Sequence, residues 1–350
     1  MVTFCALVIA TTACSVRPET APLVLEPQAE SPVWPLPPAK ARYAYVGTLI
    51  GEQNFLAGKA KTNKAKSIFA MIVGLVFGEP DYLELKRPMA GMVDDLGRIL
   101  VLDVSLQAVI VFDLPRQKVL KWSRVAKHKN FAMPIAITGD GAGGFWVTDS
   151  ELGEVIRLDG DGKPIARIGK GFLLRPTGIT RNSIDGRIYV ADTKANNIKV
   201  LDANGDLINT IGRRGKGIGE FNTPTHLAFS GSRLFVSDTL NFRVQAFNTD
   251  NDPNLVFGSI GINVGNMSRP KGIAVGEGGR IYVVESYFDH LLIFDNKGRF
   301  LMPIGGTGKE VGQFYLPGGV WTDKSGRVYV ADLFNGRVSV FKELTTGDVE

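Results

Sequence analysis

The chain has 350 residues, of which 44% are hydrophobic and 21% charged, and its formal net charge is +5. Both cysteines, Cys5 and Cys14, lie in the first fourteen residues. The rest of the chain therefore has no disulfide, no thiolate metal site and no cysteine nucleophile.

Residues 1–14 resemble the signal peptide of a bacterial lipoprotein. Met1–Ala13 is apolar, and small residues precede Cys14 as in a lipobox. The resemblance implies cleavage before Cys14, lipidation of its thiol, and export to the cell envelope. Ser15 resembles a signal for sorting to the outer membrane, on its periplasmic or surface side. No lysine or arginine precedes the apolar run, so a plain N-terminal extension is the alternative.

Residues 15–42 contain seven prolines, at positions 18, 22, 27, 32, 35, 37 and 38. Such a segment is expected to be a semi-rigid tether without a core of its own. Tyr43–Gly51 then has the pattern of a single β-strand.

An insertion over residues 52–87 follows this strand. It carries the lysines Lys59, Lys61, Lys64 and Lys66 and then an apolar run, Ile68–Phe77, which is too short to cross a bilayer. Serine before the run and glycine after it favour a helix over residues 67–78. This helix either packs on the folded domain or, with the basic run, lies on a membrane surface or docks on a partner.

Six copies of one pattern then fill the chain from Arg87 to Lys342. Their first strands begin at Pro88, Pro134, Pro176, Pro224, Pro270 and Pro317, with gaps of 46, 42, 48, 46 and 47 residues. A repeat of about 46 residues has the length of a four-stranded propeller blade.

Each copy contains β-strands separated by turns. The second strands are predicted at Ile99–Asp103, Phe145–Asp149, Ile188–Asp192, Leu234–Asp238, Ile281–Glu285 and Val328–Asp332. Four fourth strands are predicted to end in Ile-Gly pairs, at Ile168-Gly169, Ile211-Gly212, Ile260-Gly261 and Ile304-Gly305. The sixth copy has no fourth strand, and Tyr43–Gly51 is expected to complete it and close the ring. The predicted fold is all-β, a six-bladed β-propeller over residues 43–345 with a tail at 346–350.

The repeats resemble NHL repeats, most clearly in Arg187–Asp192, Arg327–Asp332 and Asp238–Val244. The resemblance covers about residues 43–345 and implies a six-bladed propeller. With the anchor and the tether, it extends to bacterial NHL-repeat lipoproteins. Some of these are encoded near multihaem cytochromes, which implies an envelope electron-transfer complex as one partner. The chain has no Cys-x-x-Cys-His motif for haem of its own.

An acid ends each second strand: Asp103, Asp149, Asp192, Asp238, Glu285 and Asp332. Although six acids could suggest a catalytic ring, an acid at a strand end is expected to accept hydrogen bonds from the backbone of its own hairpin. We interpret these residues, called the strand-end acids below, as structural.

Histidine placement argues against metal-dependent catalysis. The zinc lyase of peptidylglycine amidation, an enzyme with this repeat, needs a convergent set of histidines, whereas His128, His226 and His290 fall at different depths of the blade. The first strands carry no acids for a calcium site. His226 stands where Gly91, Gly178, Gly272 and Gly319 stand in other copies. It is read as a hydrogen-bonded filler of the channel or, alternatively, as part of a hydrolase or lyase site.

Basic residues recur in the connections between blades: Lys170, Arg213, Arg214, Lys216 and Lys309. They predict a basic face, with a merely solvated rim as the alternative. NHL propellers of tripartite-motif proteins bind RNA with such a face, but an exported protein would meet no nucleic acid. The sequence therefore favours a binding or scaffolding module without cofactor, metal or catalytic residue. Its expected partner is an envelope protein or an anionic surface ligand.

Overall fold

A computed structural model describes residues 21–56 and 82–344 of the chain. These residues form six antiparallel sheets of at least four strands, arranged as the blades of a ring. The first strand of each blade contacts the first strands of both neighbouring blades. The first strands therefore surround the central axis, and the six-bladed propeller predicted from the repeats is confirmed.

The strands follow the repeats in order. Blade 1 comprises Pro88–Val93, Ile99–Asp103, Ala108–Asp113 and Lys118–Trp122. Blade 2 comprises Pro134–Gly139, Phe145–Asp149, Glu154–Leu158 and Pro164–Ile168. Blade 3 comprises Pro176–Arg181, Ile188–Asp192, Asn197–Leu201 and Leu207–Ile211. Blade 4 comprises Pro224–Ser230, Arg233–Asp238, Arg243–Phe247 and Pro253–Phe257. Blade 5 comprises Pro270–Val275, Ile281–Glu285, His290–Phe294 and Phe300–Gly305.

Blade 6 is built from both ends of the described chain. Its strands are, from the centre outwards, Val320–Thr322, Arg327–Asp332, Arg337–Glu343, Tyr43–Leu49 and Val33–Trp34. A small hairpin (Arg124–Ala126 and Lys129–Asn130) follows blade 1, and two short 3-10 helices span Glu52–Phe55 and Thr239–Asn241.

The N-terminal strand closes the ring as expected. Tyr43–Leu49 pairs antiparallel with Arg337–Glu343, with Tyr43 opposite Glu343 and Leu49 opposite Val338. The strand supplies the fourth position that the sixth repeat lacks. Closure pairs backbone groups that would otherwise form an open edge, where another chain could add a strand.

The described part of the proline-rich segment differs from the semi-rigid tether without a core that was expected over residues 15–42. From Ala21 onwards it packs on blade 6: Leu25 is buried in the core between blades 6 and 1, and its carbonyl accepts a hydrogen bond of 2.9 Å from Arg327 Nε. The Trp34 ring packs edge-on against Phe341 at 5.4 Å. Apart from the short strand Val33–Trp34, prolines keep this segment out of regular structure, yet its few large apolar side chains fill the outer edge of the blade.

Six apolar clusters hold the ring together, one at each interface between neighbouring blades. Successive strand residues point to opposite faces of a sheet. In blade 1, Ile99 and Val101 therefore pack towards blade 6, while Leu100 and Leu102 pack towards blade 2. This two-sided burial explains why most residues of the second strands before the strand-end acid are apolar.

One predicted strand end is wrong. The fourth strand of blade 4 ends at Phe257-Gly258, and Ile260-Gly261 lies beyond it in a loop. Phe257 pairs with Val244 as Ile211 pairs with Ile198 in blade 3, so Phe257 takes the isoleucine position. Gly258 has a φ of 97° there, which favours glycine.

Both ends of the insertion over residues 52–87 are fixed to the propeller. The Glu52 amide donates to the Leu83 carbonyl at 2.9 Å, and Leu85 is buried. The predicted helix at 67–78, the signal peptide with Cys14, and the tail at 346–350 lie outside the described residues. No helix among the described residues is both long and apolar enough to span a bilayer.

Each strand-end acid fastens the loop that enters its own blade. The buried carboxylate of Asp103 accepts hydrogen bonds from the Lys86 and Arg87 amides, at 2.7 and 2.8 Å, as well as from Ser105 and Leu106 in the hairpin. Asp149 and Asp192 make equivalent bonds, and Glu285 does so with its longer side chain. The acids thus hold two loops together in each blade.

Blades 4 and 6 add an arginine and an asparagine to this arrangement. Arg243 Nε lies 2.9 Å from the Asp238 carboxylate, and Arg337 Nε lies 2.8 Å from that of Asp332. The same arginines donate to backbone carbonyls of the preceding connection. Each arginine therefore links the strand-end acid to the connection between blades as well as to the loop that the acid itself holds.

We expect Asp192→Ala to lower the free energy of unfolding by about 3 kcal/mol, because it leaves the amides of Leu174, Arg175 and Ala195 without their acceptor. Urea unfolding followed by circular dichroism measures the change. The control is Asp206→Ala, an exposed aspartate in the same blade, which should shift the value by less than about 0.5 kcal/mol. Equal losses in both variants would contradict the role of Asp192.

Candidate binding face

Antiparallel pairing places the loops of the blades on two opposite faces of the ring. The loops between second and third strands, and the connections from one blade to the next, lie where the first strands begin. We call this the upper face. The loops between first and second strands and between third and fourth strands form the lower face. The strand-end acids, His226 and the predicted basic residues all belong to the upper side.

The predicted basic residues are exposed but do not converge on one point. Arg213, Arg214 and Lys216 share the connection between blades 3 and 4, whereas Lys170 lies one blade earlier and Lys309 two blades later. Arg213 Nε lies 3.0 Å from the Glu220 carboxylate, so this charge is partly neutralised. Hydrogen bonds from the Gly217 amide and from Arg213 lower the pKa of Glu220.

The two faces differ in charge. On the upper face, the loops between second and third strands and the connections between blades carry more basic than acidic residues, even when the small hairpin is left out. The basic residues are Lys86, Arg87, Lys170, Arg175, Lys194, Arg213, Arg214, Lys216, Arg269 and Lys309. The acidic residues are Glu52, Glu84, Glu151, Glu220, Asp289 and Glu310. On the lower face the turns between strands carry mainly aspartate. The loop side chains of the described propeller therefore differ in charge between the two faces, and those of the upper face are mainly basic above the buried strand-end acids.

Although Met133, Leu174 and Ile218 are exposed on earlier connections, exposed apolar side chains are most numerous on the half of the upper face formed by blades 4 to 6. Three of them occupy the same turn position, two residues after the strand-end acid, in successive blades: Leu240, Tyr287 and Phe334, which are 48%, 62% and 49% exposed. In blades 1 to 3 this position holds Ser105, Glu151 and Lys194. The turn therefore does not itself require an apolar side chain.

The connections beside these turns add further exposed apolar residues. Ile262 and Val264 lie in the connection between blades 4 and 5, where Ile262 is 86% exposed. Tyr315, between blades 5 and 6, packs on Phe334 with ring centroids 5.5 Å apart, and Arg87 lies over the same Phe334 ring at 5.0 Å. We call Leu240, Ile262, Val264, Tyr287, Tyr315 and Phe334 the apolar crescent. It spans blades 4 to 6 and borders basic residues.

Cavities open on both faces, and one of about 470 Å³ lies at the connection between blades 3 and 4, beside Arg213 and Glu220. Two others concern the crescent and the channel. One of about 240 Å³ lies within the crescent, between the Ile262–Asn266 loop and Tyr287, Phe288 and His290. The other, of about 490 Å³, lies on the lower face at the channel mouth, where Asp94, Glu277, Asp323 and Lys324 contribute to its wall. Asp94 and Asp323 are paired with Arg98 and Arg327, so two of its carboxylates are already neutralised.

His226 lies in the first strand of blade 4 and is 9% exposed. Neither ring nitrogen has a hydrogen-bond partner among the described residues, in contrast to the hydrogen-bonded filler expected. The hydroxyl of Ser237, its neighbour across the strand pair, donates instead to the Lys271 carbonyl at 2.6 Å. Burial and the nearby charge of Lys271 lower the pKa of His226 to about 3. The imidazole is therefore neutral at physiological pH.

Gly91, the residue of blade 1 that the sequence comparison aligned with His226, does not occupy the equivalent position in the strand pairing. His226 pairs with Ser237, the residue before the strand-end acid, and the matching pair in blade 1 is Ala90 with Leu102. Gly91 lies one position further, where an added Cβ would lie 2.4 Å from the Leu100 carbonyl oxygen. An irregularity after the proline shifts the register in both blades.

The three histidines lie apart. His290 begins the third strand of blade 5 opposite Glu285, and burial lowers its pKa. His128 is exposed between the strands of the small hairpin. Within residues 21–56 and 82–344, no group of three or more His, Cys, Asp or Glu side chains is arranged to hold a metal ion.

The fold defines the class of protein, a six-bladed β-propeller. The family model DUF5128, described as a 6-bladed beta-propeller, matches residues 180–251, which lie in blades 3 and 4. Peptidyl-glycine alpha-amidating monooxygenase A from Xenopus laevis is 31% identical over 165 residues, which make up 42% of this chain and 17% of the relative. The chain thus matches less than a fifth of the length of that curated relative.

Solved structures share the fold at low identity. Virginiamycin B lyase from Staphylococcus aureus superposes with a TM-score of 0.55 at 16% identity, over 75% of this chain and 98% of the lyase. An auxiliary nutrient binding protein from Bacteroides thetaiotaomicron gives a TM-score of 0.59 at 12% identity, over 73% and 69% of the two chains. At such identities the likeness extends to the propeller alone, which serves both catalysis and binding in these neighbours.

We expect the titration of His226 to weaken the fold in acid. The folded-state pKa of about 3 lies below the ordinary value of 6.5, so the unfolded chain binds the proton more readily. The neutral ring carries no penalty above pH 6.5, and stability falls as the pH decreases from 6.5 towards 3, by up to about 1.4 kcal/mol per pH unit.

The measurement is the free energy of unfolding across that pH range in wild type, His226→Gln and the exposed control His128→Gln. His226→Gln should remove much of the slope, while His128→Gln should keep it. If wild type and His226→Gln have the same slope, the ring is protonated as readily in the folded protein as in the unfolded chain.

Proposed function

We propose that this protein is a non-enzymatic binding or scaffolding propeller of the NHL-repeat type, exported and anchored in the bacterial cell envelope through a lipid on Cys14. Its binding surface is the upper face, and its partner is an envelope protein or an anionic surface ligand. The observation that carries the proposal is the combination of basic loops with the apolar crescent on that face.

The crescent supports binding because folding alone does not explain it. Leu240, Tyr287 and Phe334 occupy a turn position that accepts serine, glutamate or lysine in the other blades. Contiguous exposed apolar side chains rimmed by charge are typical of interaction surfaces. Neighbouring Arg87 and the basic connections would add charge complementarity to an acidic partner. A complex with multihaem cytochromes is one partner of this kind.

A non-enzymatic role is supported by the chemistry of the described residues. His226 is the titratable residue of the first strands that departs most from the repeat, yet its ring nitrogens are buried and lack a partner that could orient them. A general base needs access to its substrate and a defined tautomer. The strand-end acids are occupied by backbone amides.

The first test is replacement of Arg213, Arg214 and Lys216 by glutamate in the tagged full-length protein. We expect at least a tenfold loss of partner recovered from solubilised bacterial membranes, because reversal of a charged rim opposes an acidic partner. The control replaces Lys297, Arg299 and Lys324 on the lower face, where Arg299 is also paired with a carboxylate, Asp295. Recovery of the same partners by both variants would rule out this face.

The second test concerns the anchor. Cys14→Ala should move the protein from the membrane fraction to the soluble fraction, because acyl chains supply the membrane affinity of a lipoprotein. Globomycin, which blocks processing of lipoprotein signal peptides, should cause the unprocessed form to accumulate. A protein that fractionates and migrates identically with and without Cys14 is not a lipoprotein.

A hydrolase or lyase acting at the channel near His226 is the second candidate. Lyases and lactonases among the structural neighbours favour it. Turnover of ester, lactone or amidating-lyase substrates by wild type, lost in His226→Ala, would establish this candidate. No turnover by wild type would remove it.

A further inference from the structure

We infer that the apolar crescent is a membrane-docking surface, which seats the upper face of the propeller on a bilayer containing anionic phospholipids. This inference rests on the proposed envelope location and names the anionic surface that the upper face binds. The crescent contacts the bilayer directly: lipid phosphate groups bind the basic residues, and the crescent side chains enter the outer part of the acyl region.

The crescent has the composition that interfacial binding requires. Leu240, Ile262 and Phe334 provide aliphatic and aromatic surface, while Tyr287 and Tyr315 have an apolar ring with a polar tip suited to the headgroup level. Six apolar side chains on five neighbouring loops enter an interface without unfolding, because turns and connections already expose them.

Charge around the crescent matches an anionic bilayer. Arg213, Arg214 and Lys216 flank it on the side of blade 3, Arg269 and Lys309 lie in the connections that contain crescent residues, and Arg87 contacts Phe334. Each lysine or arginine near an anionic membrane changes partitioning about fivefold. The lower face, with its aspartate-rich turns, would be repelled by the same surface. The charge asymmetry therefore selects one orientation.

The path of the chain supports the same orientation. The first described residue, Ala21, donates its amide at 2.9 Å to the carbonyl of Phe55, in the short 3-10 helix that follows the closing strand. Only six residues separate Ala21 from Cys14, and the seven Cα–Cα steps between them reach at most about 25 Å. An acyl group on Cys14 would therefore hold the upper rim of blade 6 close to the bilayer.

A protein partner is the competing occupant of an apolar surface. Three observations together favour lipid: apolar tips spread over five separate loops, basic residues on both sides, and a short path along the chain from blade 6 to the lipidation position. A flat bilayer contacts dispersed tips simultaneously, whereas a protein partner requires a matching surface of comparable extent.

The test measures cosedimentation of the full-length chain carrying Cys14→Ser, which cannot be acylated at that position. The vesicles are phosphatidylcholine alone, or phosphatidylcholine with a quarter of phosphatidylglycerol. We expect at least tenfold stronger partitioning to the anionic vesicles, decreasing with added salt as surface charges are screened.

The crescent is tested by the triple variant Leu240→Ser, Tyr287→Ser and Phe334→Ser, in which serine is the residue that blade 1 has at this turn. Partitioning should fall at least tenfold. The matched control is Leu96→Ser with Ile184→Ser, two lower-face residues that are 66% and 76% exposed; it should bind like the parent. Thermal unfolding of all variants verifies that the propeller is intact.

Tyr287→Trp gives a second readout that does not require loss of binding. Its fluorescence should shift to the blue with anionic vesicles and stay unchanged with neutral ones. Equal binding to both vesicle types, or equal losses in the crescent and control variants, would overturn the inference. If neither the parent protein nor any variant binds vesicles, but the crescent variant loses a protein partner, the lipid inference fails and the scaffolding proposal stands.

Discussion

The pairing of Tyr43–Leu49 with Arg337–Glu343 is the contact on which the propeller depends. Five blades are complete within their own repeats, and the sixth is complete only when this N-terminal strand joins it. Each interface between blades is an apolar cluster shared by two neighbours, so an open ring would expose the clusters on both sides of the gap. This one strand pairing therefore keeps neighbouring apolar clusters buried, in addition to forming its own backbone hydrogen bonds.

Much of this architecture follows from the residues alone, since alternating burial in a propeller leaves a repeated pattern. Second strands buried on both faces are mostly apolar, and their ends are marked by an acid with a fixed structural role. The departures arise where the chain leaves this pattern. Leu25 lies in a proline-rich segment without periodicity, so its burial could not be predicted. At Phe257-Gly258 an aromatic residue replaced isoleucine, and a later Ile-Gly pair imitated the strand end.

The candidate site was predictable only in part, because exposure depends on the fold. The basic connections were apparent from their lysines and arginines. The crescent was not, because Leu240, Tyr287 and Phe334 are apolar residues within repeats where apolar residues are normally core. Comparison of the same turn position across six blades is the signal that could have identified them. His226 could be identified from the sequence because other copies of the repeat have glycine near this position. Only the structure shows that its ring nitrogens have no hydrogen-bond partner.

Closure by the first strand also has a consequence for the order of events during synthesis. Tyr43–Leu49 is synthesised before blades 1 to 5, and its partner Arg337–Glu343 is synthesised after them. Blades 1 to 5 can each pair locally, but the earlier strand stays without its partner until all five have been made. The growing chain therefore carries one unpaired β-strand while five blades are added, and this strand is exposed to wrong pairing for that time.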